Sequence, residues 1–405
     1  MKSLYPNLDL SSLEFKQNAY KIYKELREHD PVHEITMPNG QRTWLITRYN
    51  DAVNVLKDNE RFTKRVHYFN PDQYASLLPE KEMNLVSRHM LYTDKPDHTR
   101  LRSIASNAFT PRMINGMSKE IQELTNELLD PIEERGSMEV VNDFAFMLPA
   151  AVISRILGIP QEDYSLIRKW SDDYMTASQN FGNLKSIYQS LNEFRLYIDE
   201  LVASRKKNPK SDLTSLLVQA HVNGDRLNSE ELASTIFVLI VAGHETTGSL
   251  ISSGLFALLQ NPDQMRLWKD DPTVASTAID ELVRYYSPLE FATSRVALQD
   301  FTWYDKNIER GDVMFVGIAS ANRDTEIFED PDYLDITRKK NKHIGFGNGI
   351  HFCLGAPLAR LEGDIAITTI LKRFPNLRVE GTLEELKWKT GVVVSRGLEQ
   401  LPVRL

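Results

Sequence analysis

The chain has 405 residues, 41% of them hydrophobic, with a formal net charge of −8 and one cysteine. The acidic balance argues against a nucleic-acid partner, because nucleic-acid-binding domains usually carry a basic excess. A single cysteine cannot form an internal disulfide, which fits a reducing cytosol. The longest apolar stretch, around residues 236–243, is too short to span a bilayer. We therefore expect a soluble cytoplasmic protein without a membrane anchor.

The N-terminal part begins with elements of both types. The pattern predicts a helix over Glu14–His29 and short strands at residues 32–35 and 42–46, around an Asn39-Gly40 turn. Asn50 is predicted to cap a helix that begins at Asp51. No linker or repeat interrupts the chain, so we expect one domain over residues 1–405.

The middle and the end of the chain complete a mainly α fold with a minor β portion. Residues 96–201 are mostly helical in pattern, and a long apolar helix follows between Asn228 and Leu259. Its start carries a capping box, because Glu231 stands three residues after Asn228. Short strands are predicted after Pro288, at residues 295–298, 301–304 and 313–316, and β structure is predicted again within residues 392–405.

The segment 343–355 surrounds the only cysteine. Its glycines permit a tight loop whose amides point inward; they are Gly345, Gly347, Gly349 and Gly355. N–H donors around Cys353 would stabilise a thiolate on a metal. A helix is predicted after Gly355, with Pro357 in its first turn, and its positive end would lie near the sulfur. The alternative is a cysteine that is only a small buried hydrophobe.

This segment resembles the haem-binding signature of the cytochrome P450 family, Phe-Gly-x-Gly-x-His-x-Cys-x-Gly, at each fixed position from Phe346 to Gly355. The resemblance implies a single cytochrome P450 domain over residues 1–405, with a long central helix crossing over haem b. It makes Cys353 the axial ligand of the iron. The other cofactor contacts that it implies near the porphyrin are Phe346, Gly347, Gly355 and Ala242.

Glu281 and Arg284 look like the family's Glu-x-x-Arg motif. Positions three apart share a helix face and can pair, although pairs of this kind are also common on solvated surfaces. The segment 328–338 resembles the meander of the family, whose arginine, here Arg338, joins the pair. The implied role of these three residues is structural.

Ala242-Gly243-His244-Glu245-Thr246 lies in the middle of the long helix. An acid and an alcohol there are costly to bury without a purpose. Thr246 can bond back to the carbonyl of Ala242 and bend the helix. By resemblance Glu245 and Thr246 are the catalytic pair that relays protons to dioxygen. For His244 we favour packing or a surface contact over a second iron ligand.

The two haem propionates need cationic partners when they are buried. By resemblance these partners are His98, Arg102, Arg295 and His351. His98 and Arg102 are four residues apart, on one helical face, and Arg100 is expected to be a solvated neighbour.

The substrate pocket implied by the resemblance is apolar, which suits a hydrophobic molecule. Its predicted lining is Leu85, Val86, Val238, Val241, Phe291, Ala292, Thr293, Val392 and Val393. Met175 and Phe181 are weaker candidates, because core packing explains them equally well.

The resemblance implies a monooxygenase that uses O2 to hydroxylate or epoxidise a secondary metabolite such as a polyketide or macrolide, with a fatty acid as the next candidate. It also implies a monomer that receives electrons from a ferredoxin or flavodoxin and an NAD(P)H-dependent reductase. Lys339, Lys340 and Lys342 are either a docking face for that acidic donor or a solvated charge run. The alternatives are a peroxide-driven haem-thiolate enzyme and a non-catalytic haem sensor.

Overall fold

The computed structural model describes residues 4–6, 8–37, 40–65, 77–179, 183–222 and 225–405. The chain divides into two compact units. The first unit comprises Met1–Asp58, Met117–Pro149 and Glu245–Leu405, and the second comprises Asn59–Gly116 and Ala150–His244. Helices dominate both units, which confirms the predicted mainly α class.

The helices fall into three groups. Those of the first unit are Leu13–His29, Tyr49–Lys57, Ser118–Arg135, Pro262–Asp270, Ala275–Tyr285, Ile318–Ala321 and Ala356–Arg373. Those of the second unit are Glu80–Ser87, Asp97–Ala108, Pro111–Gly116, Tyr164–Gln179, Tyr188–Lys207 and Leu213–Gln219. Two helices, Met147–Ile156 and Ser229–Gln260, have residues in both units. Short helical turns lie at Met90–Tyr92, Val140–Ala145, Gln161–Asp163, Asn183–Ile187, Pro272–Val274, Gly349–His351 and Leu383–Glu385.

The first two helices show where local sequence decides a boundary and where it does not. Helix Leu13–His29 follows the predicted span, and the Ser12 side chain accepts from the Phe15 amide. The next helix begins at Tyr49, so the prediction of an Asn50 cap was wrong. The Tyr49 amide donates to Oδ2 of Asp324 at 2.8 Å. The capping oxygen comes from a distant part of the chain, which the local pattern could not indicate.

The main sheet of the first unit joins the N-terminal strands to later ones. Strand Val32–Thr36 pairs antiparallel with Arg42–Ile46, which pairs parallel with Val313–Val316. Val313–Val316 then pairs antiparallel with Arg295–Ala297. These strands confirm the predicted ones, whereas Asn39 of the predicted turn lies outside the described residues.

Smaller sheets contain most of the other strands that the structure describes. In the first unit, Arg378–Val379 and Ser137–Glu139 both pair antiparallel with Pro402–Arg404, and Phe301–Trp303 forms a hairpin with Lys306–Ile308. Bridges between Leu289 and Ser395 and between Trp388 and Leu398 complete the predicted β region at the end of the chain. In the second unit a two-stranded pair joins His221–Val222 to Asp225–Arg226, and a two-residue strand lies at Phe62–Thr63.

The central helix, Ser229–Gln260, has 32 residues. Its predicted capping box is confirmed, because the Glu231 amide donates to Asn228 Oδ1 at 2.9 Å and the Asn228 amide donates to Glu231 Oε2 at 3.0 Å. Among the described residues it is the one helix long and apolar enough to cross a membrane, but 83% of that window is buried inside the protein. It therefore fits the predicted core helix.

Candidate active site

The cysteine loop ends at the N-terminus of a helix, as predicted. Cys353 is exposed, and Gly355 caps the helix Ala356–Arg373, which has proline in its first turn. The Cys353 amide donates to the Phe346 carbonyl at 2.8 Å, which closes the loop on itself. A sulfur at the positive end of a helix is stabilised as the thiolate, the form that ligates a metal.

Two glycines of the loop have no room for a side chain. Gly349 has a φ of +69°, and a Cβ there would lie 2.6 Å from the carbonyl oxygen of Leu56. A Cβ on Gly345 would lie 2.3 Å from Cγ1 of Val283. Both contacts are far inside van der Waals distance, so the path of the loop depends on these glycines.

The Glu-x-x-Arg pair is completely buried, so the possibility of a solvated surface pair is excluded for it. The Arg284 guanidinium donates to both carboxylate oxygens of Glu281, at 2.7 and 2.8 Å. It also donates to the carbonyls of Asn322, Pro331 and Tyr333. All five of its donors are therefore used. Arg338 Nε donates to the same carboxylate at 3.1 and 3.2 Å.

Side chains next to this network hold the cysteine loop. The Asn322 amide oxygen accepts from the Ile344 backbone at 2.8 Å, and Asn341 Nδ2 donates to Glu281 at 3.1 Å. Asp280 contacts His343 at 3.2 Å and Arg360 at 2.7 Å. Although burial alone would raise it, these two contacts hold the pKa of Asp280 below its ordinary value.

The ring of Phe346 lies beneath the guanidinium of Arg360. The distance from the guanidinium carbon to the ring centroid is 4.4 Å. Phe346 also lies near the rings of His343 and Phe352, at centroid distances of 5.7 and 6.4 Å. An aromatic side chain predicted to contact the cofactor is thus held in a fixed orientation.

The middle of the central helix presents an accessible face. Ala242 is exposed and Gly243 and Thr246 are half-buried, whereas Val241 and Glu245 beside them are buried. Ala242 and Thr246 are four residues apart and share one side of the helix. An accessible strip in an otherwise buried apolar helix is the surface that a bound molecule would cover.

His244, next to this strip, contacts another helix of the second unit. Its Nε2 lies 3.2 Å from Asp172 Oδ1, and its Nδ1 lies 3.2 Å from the carbonyl oxygen of Ile240. The contact agrees with the predicted packing or surface role.

Two of the four predicted propionate contacts lie in the first unit. Arg295 is buried in strand Arg295–Ala297, and its Nη1 donates to the Thr293 carbonyl at 2.7 Å. His351 lies in the turn Gly349–His351, two residues before the cysteine.

The other two, His98 and Arg102, lie in the second unit on one face of helix Asp97–Ala108. Burial, and after it the charge of Arg102, lowers the pKa of His98 to about 4. The expectation that Arg100 is solvated was wrong. Arg100 pairs with Glu231, the acid of the capping box, because it reaches the start of the central helix.

The predicted pocket residues divide between the units. In the first unit Phe291 and Val393 are buried, and the amides of Glu290 and Phe291 both donate to the carbonyl of Val394. The structure therefore brings the segment 291–293 next to the segment 392–393. In the second unit Val86 is buried, and the Leu85 carbonyl accepts from Ser234 of the central helix at 2.7 Å. Val238 and Val241 are buried on that same helix. Met175 lies in the helix Tyr164–Gln179, and Phe181 lies outside the described residues.

Residues that sequence reasoning missed hold the site from outside the motifs. Asn322 and Asp280 position the cysteine loop, and Lys16, Glu290 and Arg396 form a buried charged cluster. The one signal in the sequence was an acid, Glu290, among apolar neighbours. The residues of each group lie far from their partners in the sequence, so no spacing rule predicts these contacts.

The cytochrome P450 family model matches residues 6–268 and 273–401. The chain belongs to the cytochrome P450 family. Among the relatives of this P450 is the polyketide biosynthesis cytochrome P450 PksS of Bacillus subtilis (strain 168), which is 44% identical over 396 residues, covering 97% of each chain. The enzyme is thus a P450 monooxygenase.

Solved structures agree with this membership. A myxobacterial cytochrome P450 in complex with myristic acid is 37% identical, with a TM-score of 0.91 and 98% of each chain covered. P450BioI in complex with a fatty-acid-ligated acyl carrier protein is 34% identical, with a TM-score of 0.88, covering 97% of this chain and 99% of that one.

Family membership implies a haem iron cofactor. The cysteine loop fits that group, because its sulfur is exposed at a helix N-terminus and cysteine thiolate is a known axial donor to haem iron. A Cβ on Gly355 would stand in ordinary contact with the sulfur, at 3.9 Å, so the glycine leaves space beside it.

Proposed function

We propose that this P450 oxygenates a hydrophobic secondary metabolite of the polyketide or macrolide class, by hydroxylation or epoxidation, with fatty acids as the next candidates. The observation that carries the proposal is the exposed thiol of Cys353 in a loop that a buried ion network holds in place. The apolar character of Phe291, Ala292, Val392 and Val393 supports a hydrophobic substrate. The relation to PksS supports the polyketide class, and the neighbour solved with myristic acid supports the second.

The residues that would hold haem b come from several elements. Cys353 would supply the thiolate ligand, and Phe346, Gly347, Gly355 and Ala242 would contact the porphyrin. Arg295, His351, His98 and Arg102 are the proposed partners of the propionates, since buried carboxylates need hydrogen-bond donors, and the two arginines would also supply positive charge. Haem supplies the activation of dioxygen when it is bound.

Glu245 and Thr246 are the proposed proton relay. Glu245 is buried in the helix, whereas Thr246 is half-buried on the accessible strip. A buried acid can pass protons one at a time to a hydroxyl group that contacts the bound molecule. Such a pair supplies protons without admitting bulk water to the site. The hydroxyl of Thr246 is the last proton donor in this arrangement, and Glu245 restores its proton.

The matched pair Thr246→Ala and Thr247→Ala tests the relay. The two threonines are adjacent, but Thr247 is 4% exposed and lies off the strip. We expect Thr246→Ala to yield about tenfold less product per NADPH consumed, with peroxide released instead. General acid catalysis contributes factors of this size or larger. Thr247→Ala should keep the coupling of the native enzyme.

Equal coupling in both variants would contradict the relay. Efficient turnover of the native enzyme with hydrogen peroxide, and none with a ferredoxin or flavodoxin system, would instead favour the peroxide-driven alternative.

The substrate screen should use polyketide lactones, free fatty acids and carrier-linked acyl chains, with the haem absorption shift as the signal.

The proposed electron donor is a ferredoxin or flavodoxin with its NAD(P)H-dependent reductase. Lys339, Lys340 and Lys342 are exposed, immediately before the cysteine loop, on a chain with a net charge of −8. A local basic face on an acidic protein steers an acidic partner to one place. Reversing the charges of Lys339 and Lys340 should slow reduction, whereas reversing those of Lys206 and Lys207, exposed in the second unit, should not. The proposed setting is the cytoplasm, and the proposed state is a monomer.

A further inference from the structure

Three charged side chains meet in the core of the first unit, away from the cysteine loop. Lys16 comes from the first helix, Glu290 follows Pro288, and Arg396 belongs to the segment 393–396, which we call the C-terminal turn. Glu290 Oε2 lies 3.4 Å from Lys16 Nζ and 3.0 Å from Arg396 Nη1. The side chains of Lys16 and Glu290 are 0% exposed, and that of Arg396 is 2% exposed. Tyr23 donates to the other carboxylate oxygen at 2.9 Å.

The ammonium group of Lys16 is tied to the backbone of the turn. Besides Glu290, it faces the carbonyl oxygens of Val393 and Ser395, each at 3.3 Å. An ammonium has three donors, and these contacts use all of them. Arg396 Nη2 in turn donates to the Lys16 carbonyl at 3.1 Å, so the first helix and the turn hold each other from both sides.

The same contacts join the two wall segments predicted for the substrate pocket in this unit. Glu290 precedes residues 291–293, and the carbonyls that Lys16 contacts follow Val392. The Glu290 amide donates to the Val394 carbonyl at 2.8 Å, and the Arg396 amide donates to the Pro288 carbonyl at 2.8 Å. A shift of the charged cluster would therefore move both walls together.

Stability alone does not account for such a cluster. Two cations share one carboxylate, and buried charges of this kind are often replaced by apolar side chains without loss of stability. Although burial alone would raise it, Arg396 and Lys16 hold the pKa of Glu290 below its ordinary value, which keeps the carboxylate ionised. The ion pairs and hydrogen bonds of the cluster have preferred directions, so they fix the relative positions of the joined segments. Apolar side chains in their place would allow these segments to shift.

We infer that Lys16, Glu290 and Arg396 form a positioning cluster that sets the spacing of the wall segments 291–293 and 392–393 and thereby selects the shape of the substrate. None of the three needs to touch the substrate. The inference rests on the proposed function, because the two segments line a substrate pocket only if the enzyme binds haem and a hydrophobic substrate as proposed.

The test compares Lys16→Met with Arg27→Met in the holoenzyme. Arg27 is a second buried cation of the same helix, but its Nη1 donates to the carbonyl and hydroxyl oxygens of Ser320, both at 3.0 Å, and not to the turn. Each variant removes one buried cation from one helix. Glu290→Gln, which keeps the shape of the side chain, is the second variant if Lys16→Met does not fold.

Two probes distinguish an effect on the wall segments from an effect on iron coordination. Imidazole coordinates haem iron with little contact to the walls, whereas its dodecyl derivative adds an apolar chain that the walls must accommodate. We expect Lys16→Met to bind imidazole as the native enzyme does and to bind the dodecyl derivative about tenfold more weakly, since misfit in an apolar pocket has effects of this size. Arg27→Met should leave the ratio of the two affinities within about twofold of native.

An unchanged ratio in Lys16→Met, with a melting temperature lowered as much as in Arg27→Met, would overturn the inference alone. The cluster would then be a structural ion network. The absence of any imidazole-induced absorption shift in the native protein would overturn the proposed function, and the inference with it.

Discussion

The two units bury polar groups in different ways. The first unit buries ionised side chains that pair, around Glu281 and around Glu290. The second unit also contains a buried ion pair, Arg205 with Asp212, and it buries His89 and His98, whose pKa values are lowered to about 3 and about 4, mainly by burial. Paired ions fix loops in one arrangement, whereas a buried neutral histidine makes folding sensitive to acid. We therefore expect the first unit to hold the iron ligand rigidly and the second to respond to pH.

The largest effect is expected from Arg284→Ala. It removes two hydrogen bonds from the buried carboxylate of Glu281 and leaves the carbonyls of Asn322, Pro331 and Tyr333 without this donor, so the free energy of unfolding should fall by about 3–5 kcal/mol, and haem content with it. The measurement is urea unfolding together with the haem absorption of the purified protein.

The matched control is Arg205→Ala, which breaks the buried pair with Asp212 in the second unit. It should cost a comparable free energy but leave the haem spectrum of the folded fraction intact. Normal haem content in Arg284→Ala would show that the ion network is not what holds the cysteine loop.

The next effect is expected from His89→Leu, and only in acid. Folded His89 stays neutral down to a pKa of about 3, whereas the unfolded chain takes up its proton below 6.5. The unfolded state therefore binds more protons in this window, and stability falls as the pH falls through it. The variant should lose stability less steeply between these two values, by about 1.4 kcal/mol per pH unit.

Urea unfolding at a series of pH values measures this slope. The control is His29→Leu, because His29 is a histidine with a side chain 63% exposed in the first unit. An acid slope that is the same in His89→Leu and in the native protein would refute the proposed contrast between the units.

The smallest effect is expected from Asn228→Ala at the start of the central helix. The substitution removes the side-chain cap on the Glu231 amide, which typically costs about 1 kcal/mol. Thermal unfolding compared with Ser229→Ala, an exposed neighbour, measures the difference. A melting temperature equal to that of the control would show that the capping box contributes nothing here.

The parts of the fold that the sequence predicted are those whose determinants are local. The helix Leu13–His29, the capping box at Asn228 and the cysteine loop each depend on residues within a few positions of one another. The pairing of Glu281 with Arg284 was also predictable from spacing. Its complete burial was not, because that depends on the carbonyls of distant residues.

The errors have the same origin. The second helix is capped by Asp324 and not by Asn50, and Arg100 is half-buried in an ion pair with Glu231. Lys16 looks in sequence like any lysine of an amphipathic helix, yet it is buried against a turn near the other end of the chain. Tertiary contacts of this kind leave no periodic signal.

The central claim is that Cys353 supplies a thiolate to haem iron. Cys353→His tests it most directly, because imidazole is also a haem ligand and keeps the cofactor bound. The measurement is the absorption of the reduced protein under carbon monoxide. We expect the native protein to show the red-shifted Soret band of thiolate ligation, and Cys353→His to bind haem without that band. Retention of the band in Cys353→His, or its absence from the freshly reduced native protein, would contradict the account.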